Sequence, residues 1–205
     1  CKFGELITEA DRIPAAVGEA AGRAVSGRPG PVHLTISVDA FEGQVSPAVM
    51  AHAAPFVAQN RSRVAGDPDP VGKAIVMISE AERPVIVVGS RAFYAQTGAS
   101  EHPSSSEVSE RLRRLSETAG VPVVTPIWDR GVVDEPWDTF FGVVGAASGE
   151  PAILERADLI VLLGADVDYR VKYLGAPPLQ PGRQVIRVDA DPGHLHQGMT
   201  PHVGI

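Results

Sequence analysis

Short apolar runs alternate with longer amphipathic stretches over residues 70–205. The runs RPVIVVGS, VPVVTP, DLIVLLGAD and RQVIRVDADP are rich in Val, Ile and Leu and are bounded by Pro, Gly or Asp. This pattern predicts strands that are buried on both faces, as in a parallel sheet. Such strands, separated by helical stretches, predict an α/β fold with a doubly wound, mostly parallel, Rossmann-like sheet of about six strands flanked by helices.

Three helical stretches are predicted between these strands. DPDP is expected to cap a helix over residues 70–82, and EPAILERA is expected to form another helix. The serines at 104–106 are expected to form a loop that precedes a helix ending before Gly120. The predicted apolar face of that helix consists of Val108, Leu112, Leu115 and Ala119. DPGHLHQ predicts one more short helix.

The first part of the chain predicts one helix and one strand, as at the end of an α/β domain. Asp11 is a suitable N-cap, Pro14 falls in the first turn, and Gly27 is a natural stop for the helix. VHLTISV then alternates like a strand. Residues 42–70 have no sustained period and are rich in Ala, Pro and Gly, which predicts a linker.

Composition and charge exclude several classes of protein. Hydrophobic residues make up 44% and charged residues 21% of the 205 residues, which is ordinary for a globular protein. The net charge of −7 and the absence of a basic stripe argue against nucleic acid as a partner. No apolar run approaches the roughly 18 residues needed to span a membrane. The single cysteine, Cys1, excludes an internal disulfide and favours a cytoplasmic location.

Small and acidic residues follow every predicted strand of the second part. In an open α/β sheet, ligands bind outside these carboxyl ends, and glycine there lets a ligand approach closely. The competing interpretation is that Gly and Asp turn the chain and cap helices, and spacing alone favours it. The sequence contains neither GxGxxG nor GxxxxGK[ST], and no nucleophile motif. His194 and His196 do not share a helical face and no partner carboxylates stand at ligand spacing, so we predict no metal ligand. With no nucleophile motif, we also predict no catalytic residue in this chain.

The order of the motifs resembles a known family. SGRPGPVHLTISVD resembles the closing strand of the pyrimidine-binding domain of thiamine-diphosphate enzymes. AERPVIVVGS, VPVVTPIWDRGVVDE, FFGVVGAASGEPAILERADLIVLLGADVDYRV and VIRVDADPGHL resemble, in order, their central domain, and PHVGI resembles its last strand. The resemblance is to the acetolactate synthase type. It implies a pyrimidine-domain tail in residues 1–45, a linker in 46–68 and a central domain in 69–205.

The resemblance implies a larger enzyme, a lyase or transferase with three domains in series that works as a homodimer or homotetramer. Thiamine diphosphate and Mg²⁺ would lie between the pyrimidine-binding domain and a diphosphate-binding domain of different subunits. The glutamate that protonates the cofactor and the Gly-Asp-Gly…Asn motif that holds Mg²⁺ are both absent from this chain. The chain alone is therefore not expected to catalyse the decarboxylation or carboligation of a 2-keto acid.

In the same family, the central domain of acetolactate synthases holds FAD, and that of some relatives holds ADP. Carried over position by position, the resemblance implies a set of cofactor-binding candidates: Gly89, Ser90, Gly131, Gly145, Gly164, Asp189 and Ala190. Asp168 and Arg170 fall in a turn that leans toward the active-site cleft in the family, although a capping salt bridge explains them equally well. Asp166 departs from the flavin pattern, which has arginine there, and an acid is expected to repel a diphosphate.

Two alternatives from other classes remain open. The chain could be a stand-alone module that binds FAD, ADP or NAD, or a pure interaction domain of the same fold. Trp128 and Trp137 could stack on a ligand or serve as core or interface anchors.

Overall fold

The computed structural model describes residues 1–26, 29–53, 66–94, 105–133, 135–145, 151–176 and 178–205. The chain divides into two compact units, Cys1–Ser62 and Arg63–Ile205. The domain boundaries drawn from the sequence stay predictions.

The first unit contains a parallel β-α-β arrangement. Strands β1 (Phe3–Ile7) and β2 (Val32–Ile36) pair in parallel, with Phe3 opposite Val32. Helix α1 (Ile13–Val25) connects them and contacts both strands, because parallel strands need a crossover. Two short helices follow, α2 (Val38–Glu42) and α3 (Pro47–Ala53).

Several expectations for this unit were wrong in detail. Strand β1 was not predicted, and α3 occupies part of the predicted linker. Asp11 is not the N-cap of α1, because a 3-10 turn precedes the helix and the Asp11 carboxylate instead accepts the Ser46 backbone N–H at 2.6 Å. Ser37, at the end of the predicted strand, caps α2 by accepting the Ala40 N–H. The proposed stop at Gly27 lies outside the described residues.

The second unit is a six-stranded sheet in which every described strand pair is parallel. This confirms the predicted doubly wound α/β fold. Helix α4 starts the unit, with Asp67 as its N-cap, in agreement with the expectation for DPDP. The elements are α4 (Pro68–Glu80), β3 (Pro84–Val88), α5 (Arg91–Tyr94), α6 (Ser105–Ala119), β4 (Val123–Pro126), β5 (Phe140–Val144), β6 (Leu159–Leu163), β7 (Gln184–Val188) and β8 (Val203–Gly204).

The strand order β5-β4-β3-β6-β7-β8 contains one change of direction. The chain adds β4 and β5 on one side of β3, and then places β6, β7 and β8 on its other side. The switch point therefore lies between the neighbouring strands β3 and β6, where the connections leave toward opposite sides. In open α/β sheets this is the place where ligands bind.

Both faces of this sheet are covered by apolar cores, as the continuous Val, Ile and Leu runs predict. Alternate residues of one strand enter different cores, so that Ile86 and Val88 face one side and Val85 and Val87 the other. On the first side, Trp137 is buried and its indole N–H lies within hydrogen-bond distance of the Ser116 and Thr139 hydroxyls. Trp137 is therefore a core anchor, one of the two roles open from the sequence.

The predicted apolar face of α6 was partly wrong. Leu112 is 4% exposed, but Leu115 is 50% exposed and Ala119 is also exposed. The buried residue one turn after Leu112 is Ser116, because its hydroxyl bonds Thr139 and Trp137 across the core.

Three other local predictions need correction. Of EPAILERA, the described part forms only a three-residue 3-10 turn, Leu154–Arg156, in place of a helix. The serines at 105 and 106 belong to α6, although they were expected to form a loop. Strand β5 is not among the strands that the apolar runs predicted. In the parts of the chain that the structure describes, no helix has both the length and the apolar character to cross a bilayer.

We expect Leu112→Ala and Leu115→Ala to differ strongly in stability, although both positions lie on the apolar stripe of α6. Leu112→Ala leaves a core cavity and should lower the free energy of unfolding by about 2–5 kcal/mol. Leu115→Ala should lower it by about 1 kcal/mol at most, because the side chain is half exposed. Urea unfolding followed by circular dichroism measures both values. Equal losses would contradict this orientation of α6.

Candidate functional site

The candidate site lies at the switch point, where two glycines bring two chain segments into direct contact. Gly89 follows β3 and Gly164 follows β6, and the Gly89 N–H donates to the Leu163 carbonyl at 2.9 Å. A Cβ on Gly89 would lie 2.4 Å from the Gly164 carbonyl oxygen, and one on Gly164 would lie 2.1 Å from the Ala92 nitrogen. The space that these glycines leave open is thus filled by the protein's own backbone.

An arginine at the start of α5 connects the ends of three strands. The Arg91 side chain is 7% exposed, and its Nε donates to Asp189 Oδ2 at 2.9 Å. Its Nη1 lies 2.8 Å from Asp166 Oδ1. Asp166 comes after β6 and Asp189 after β7, so Arg91 holds both neighbouring strand ends to that of β3. The Asp189 side chain is only 1% exposed, and its carboxylate is paired with Arg91 through Oδ2 and accepts the Asp191 backbone N–H at 3.1 Å through Oδ1.

A second buried arginine lies beside the first. Arg170 is 8% exposed, and its Nε donates to both carboxylate oxygens of Asp168, at 3.0 and 2.8 Å. Its Nη1 lies 3.3 Å from Asp129 Oδ2, and its Nη2 lies 3.8 Å from Asp166 Oδ2. Asp166 is therefore shared by Arg91 and Arg170. Gly145 makes room for this arginine, since a Cβ there would lie 2.6 Å from the Arg170 Cα.

Asp168 and Arg170 stabilise each other's ionised forms. Burial acts to raise the pKa of Asp168, but hydrogen bonds from the Arg170 side chain and backbone N–H outweigh it and leave the pKa below its ordinary value. The pKa of Arg170 is raised, mainly through its side-chain hydrogen bonds to Asp168. Asp168 also caps the Tyr169–Leu174 segment by accepting the Arg170 N–H at 2.9 Å. The alternative of a capping salt bridge therefore describes the contacts of this pair.

The backbone after Arg170 has an unusual conformation. Lys172, Tyr173 and Leu174 have left-handed φ angles of 55°, 51° and 48°. Each such residue costs about 1 kcal/mol or more, so the surrounding contacts must hold it. Leu174 is buried, and the Lys172 ammonium lies 2.9 Å from Glu155 Oε1. This segment presents Tyr169 to solvent.

One of the two tryptophans named in the sequence lies beside that tyrosine. Trp128 is 69% exposed, and its indole N–H donates to the Tyr169 hydroxyl at 2.6 Å. Tyr169 is itself 53% exposed, so the pair forms an open aromatic surface next to Arg170.

The structure brings some of the predicted site residues together and leaves others apart. Gly89 and Gly164 touch, Gly145 packs on Arg170, and Asp189 pairs with Arg91, the residue next to Ser90. Gly131 is exposed, with nothing within 4 Å of its Cβ position, and Ala190 is exposed too.

Arg91, Asp129 and Arg187 were missed by sequence reasoning. Arg187 is 1% exposed, its Nη1 donates to the Gln197 carbonyl, and burial lowers its pKa. The sequence contained only a weak signal for Arg91, because a lone arginine after a glycine turn has no distinctive spacing.

A cavity of about 550 Å³ lies elsewhere, at the amino ends of β3 and β4. Its lining includes Arg83, Pro122, Phe141 and Arg156, and contains none of the predicted site residues. In the described ranges, no group of three His, Cys, Asp or Glu side chains is arranged to hold a metal ion.

The fold and the charged cluster at the switch point identify the class of protein: a doubly wound α/β domain with ion pairs at the ends of its strands. Residues 71–205 match the family described as "Thiamine pyrophosphate enzyme, central domain". The chain belongs to this family, and the resemblance seen in the sequence is confirmed.

Known relatives agree with this assignment. Acetolactate synthase of Arthrospira platensis is 30% identical over all of this chain and 34% of its own length. The acetolactate synthase large subunit of Corynebacterium glutamicum is 28% identical over 99% of this chain and 31% of its own. A solved thiamine diphosphate-dependent 4-hydroxybenzoylformate decarboxylase of Rhodococcus jostii RHA1 shares the fold, with a TM-score of 0.76 at 22% identity, over all of this chain and 36% of its own. The chain spans about a third of the length of these relatives.

We expect Gly89→Ala to destabilise the protein more than Gly131→Ala does, because Gly89 is closely packed and Gly131 is not. Neither glycine has a left-handed φ, so the two substitutions differ mainly in the space available. Gly89→Ala should lower the free energy of unfolding by about 1–3 kcal/mol, because the new methyl group meets the Gly164 carbonyl. Gly131→Ala should change it by less than about 1 kcal/mol. Denaturant titration of both variants is the measurement, and a harmless Gly89→Ala would refute the close contact.

Asp168→Asn should remove a contribution to stability that depends on pH. The folded pKa of Asp168 is lowered, so its carboxylate stabilises the fold above the unfolded pKa of about 3.9, and this contribution is lost as pH falls through the folded pKa. At pH 7 the variant should be less stable than wild type by about 1–2 kcal/mol. The difference should shrink toward pH 2–3 in urea unfolding. A difference independent of pH would show that the charge is not responsible.

Proposed function

We propose that this chain is the central domain, together with the tail of the pyrimidine-binding domain, of a thiamine-diphosphate- and Mg²⁺-dependent 2-keto acid decarboxylase or carboligase of the acetolactate synthase type. The observation that carries the proposal is the family match over residues 71–205 combined with relatives that cover the whole chain. In this view the chain is a scaffold and subunit-interface element of a lyase or transferase, and it contributes no catalytic residue.

Thiamine diphosphate, held by the two flanking domains, would supply the electron sink for decarboxylation. The part played by this chain is positional. The Arg91 and Arg170 ion pairs hold the ends of β3, β6 and β7 in a fixed arrangement. Asp168 and Arg170 then support a rigid turn that presents Tyr169, and we propose that this turn faces the active-site cleft of the whole enzyme.

The first unit supports the idea of missing neighbours. A two-stranded sheet is marginally stable by itself, and this unit leaves Leu6 on β1 and Val38 and Phe41 on α2 at least 64% exposed. Large exposed side chains on so small a unit fit a surface that the rest of a pyrimidine-binding domain would cover. We propose that the whole enzyme assembles as a homodimer or homotetramer in which the diphosphate-binding domain is a further neighbour of this chain. We also propose that it is located in the cytoplasm.

The stand-alone nucleotide module and the pure interaction domain are less favoured. The matched relatives are acetolactate synthases that extend well beyond this segment. Of the described arginines at the switch point, Arg91 and Arg170 are already paired with acids and Arg187 is buried, so none is open to a nucleotide phosphate.

The test is cofactor dependence of the full-length protein with 2-keto acids as substrates. We expect decarboxylation that is lost when thiamine diphosphate and Mg²⁺ are removed by dialysis against a chelator and that returns when both are added. The 205-residue chain, purified in parallel, should show no activity, since the cofactor-binding motifs lie elsewhere. A full-length protein that fails to bind thiamine diphosphate in a thermal-shift titration would sink the proposal.

A further inference from the structure

Two buried arginines converge on one carboxylate at the switch point. Arg91 Nη1 lies 2.8 Å from Oδ1 of Asp166, and Arg170 Nη2 lies 3.8 Å from its Oδ2. The arginines are 7% and 8% exposed, whereas the Asp166 side chain is 24% exposed. The acid is thus more exposed than the two arginines, and each of its oxygens lies within ion-pair distance of one of them.

This arrangement has the chemistry of an anion site. Guanidinium groups bind carboxylates and phosphates by the same paired, charge-assisted hydrogen bonds. Its place, after the central strands of an open α/β sheet, is where such sheets bind ligands. Arg187 is a third cation close to these acids, since Asp189 and Asp166 both act on its charge. It is 1% exposed, and its Nε and Nη2 have no hydrogen-bond partner.

We infer that the Asp166 carboxylate is a built-in anion that occupies the place between Arg91 and Arg170 where a nucleotide phosphate would otherwise bind. The central domain therefore holds its carboxyl edge together without FAD or ADP, the ligands that the family resemblance implied.

The residues around Asp166 do not fit a dinucleotide diphosphate. Gly89 and Gly164, expected to let a diphosphate approach, have their open space filled by backbone at 2.4 and 2.1 Å. Among the residues that the structure describes, the four acids of the cluster outnumber its three arginines, so a phosphate would meet net negative charge. These acids are Asp129, Asp166, Asp168 and Asp189.

This inference rests on the local geometry and not on the proposed thiamine-diphosphate function. A wild-type chain that binds FAD or ADP would overturn it and leave cofactor-dependent decarboxylation by the full-length protein untouched.

The experiment removes the built-in anion and supplies a free one. Asp166→Ala and the closer mimic Asp166→Asn, both in the 205-residue chain, are titrated with inorganic pyrophosphate and with ADP at constant ionic strength. Calorimetry gives affinity, and thermal unfolding gives the shift in Tm. We expect pyrophosphate to bind each variant at least about tenfold more tightly than wild type. The Tm of each variant should rise by about 3 °C or more at saturating pyrophosphate, while the Tm of wild type stays unchanged.

Asp158→Ala is the matched control. Its carboxylate is also partly buried, but it lies at the amino ends of the strands, just before β6. There it accepts the backbone N–H groups of Glu82 and Arg83 at 2.9 Å. This variant should lose stability without gaining any response to pyrophosphate. Equal responses of wild type and the Asp166 variants, or no response in Asp166→Asn, would overturn the inference. If neither Asp166 variant folds, micromolar binding of ADP or FAD by wild type overturns it, and rescue of folding by pyrophosphate supports it.

Discussion

The guanidinium group of Arg91 carries the interaction on which the rest of the second unit depends. It joins the end of β3 to acids that follow β6 and β7, and its neighbour Arg170 extends the network toward β4 through Asp129. Charges buried to this degree are expensive to desolvate, and they are tolerated only when each has partners at hydrogen-bond distance. The ion pairs are therefore better understood as a device for specifying one arrangement of strand ends than as a source of net stability.

The two glycines at the switch point serve the same arrangement. Gly89 and Gly164 allow the turns after β3 and β6 to pack backbone against backbone, which brings Arg91 within reach of Asp166. A side chain at either position would separate these turns and pull the charges apart. Residues that look like a ligand-binding motif in the sequence thus have a structural reason that requires no ligand.

The ion-paired strand ends belong to a domain of the thiamine pyrophosphate enzyme family. The family match covers the sheet, and acetolactate synthases resemble the chain over its whole length. In the assembly proposed above, a central domain whose strand ends are held by its own ion pairs would affect how the flanking domains meet, because small displacements of positioning groups are costly in catalysis.

The sequence by itself determined the central strands of the second unit and their parallel architecture. Runs such as PVIVV and LIVLL are apolar at every position, and only a sheet covered on both faces buries such runs completely. It did not determine β5, whose residues are largely half-buried and interrupted by Gly142, or the weak turn at Leu154–Arg156. Propensity signals of that strength are readily overridden by tertiary packing.

The tertiary structure decided which polar residues belong to the site. Ser116 replaces Leu115 on the buried face of α6 because Trp137 and Thr139 offer it hydrogen bonds, and no helical period contains that information. Arg91 meets Asp189 although 98 positions separate them in the sequence. Hydrophobic burial depends on local pattern and could be predicted, whereas an ion pair depends on which strand ends become neighbours, and the strand order determines this only in the folded sheet.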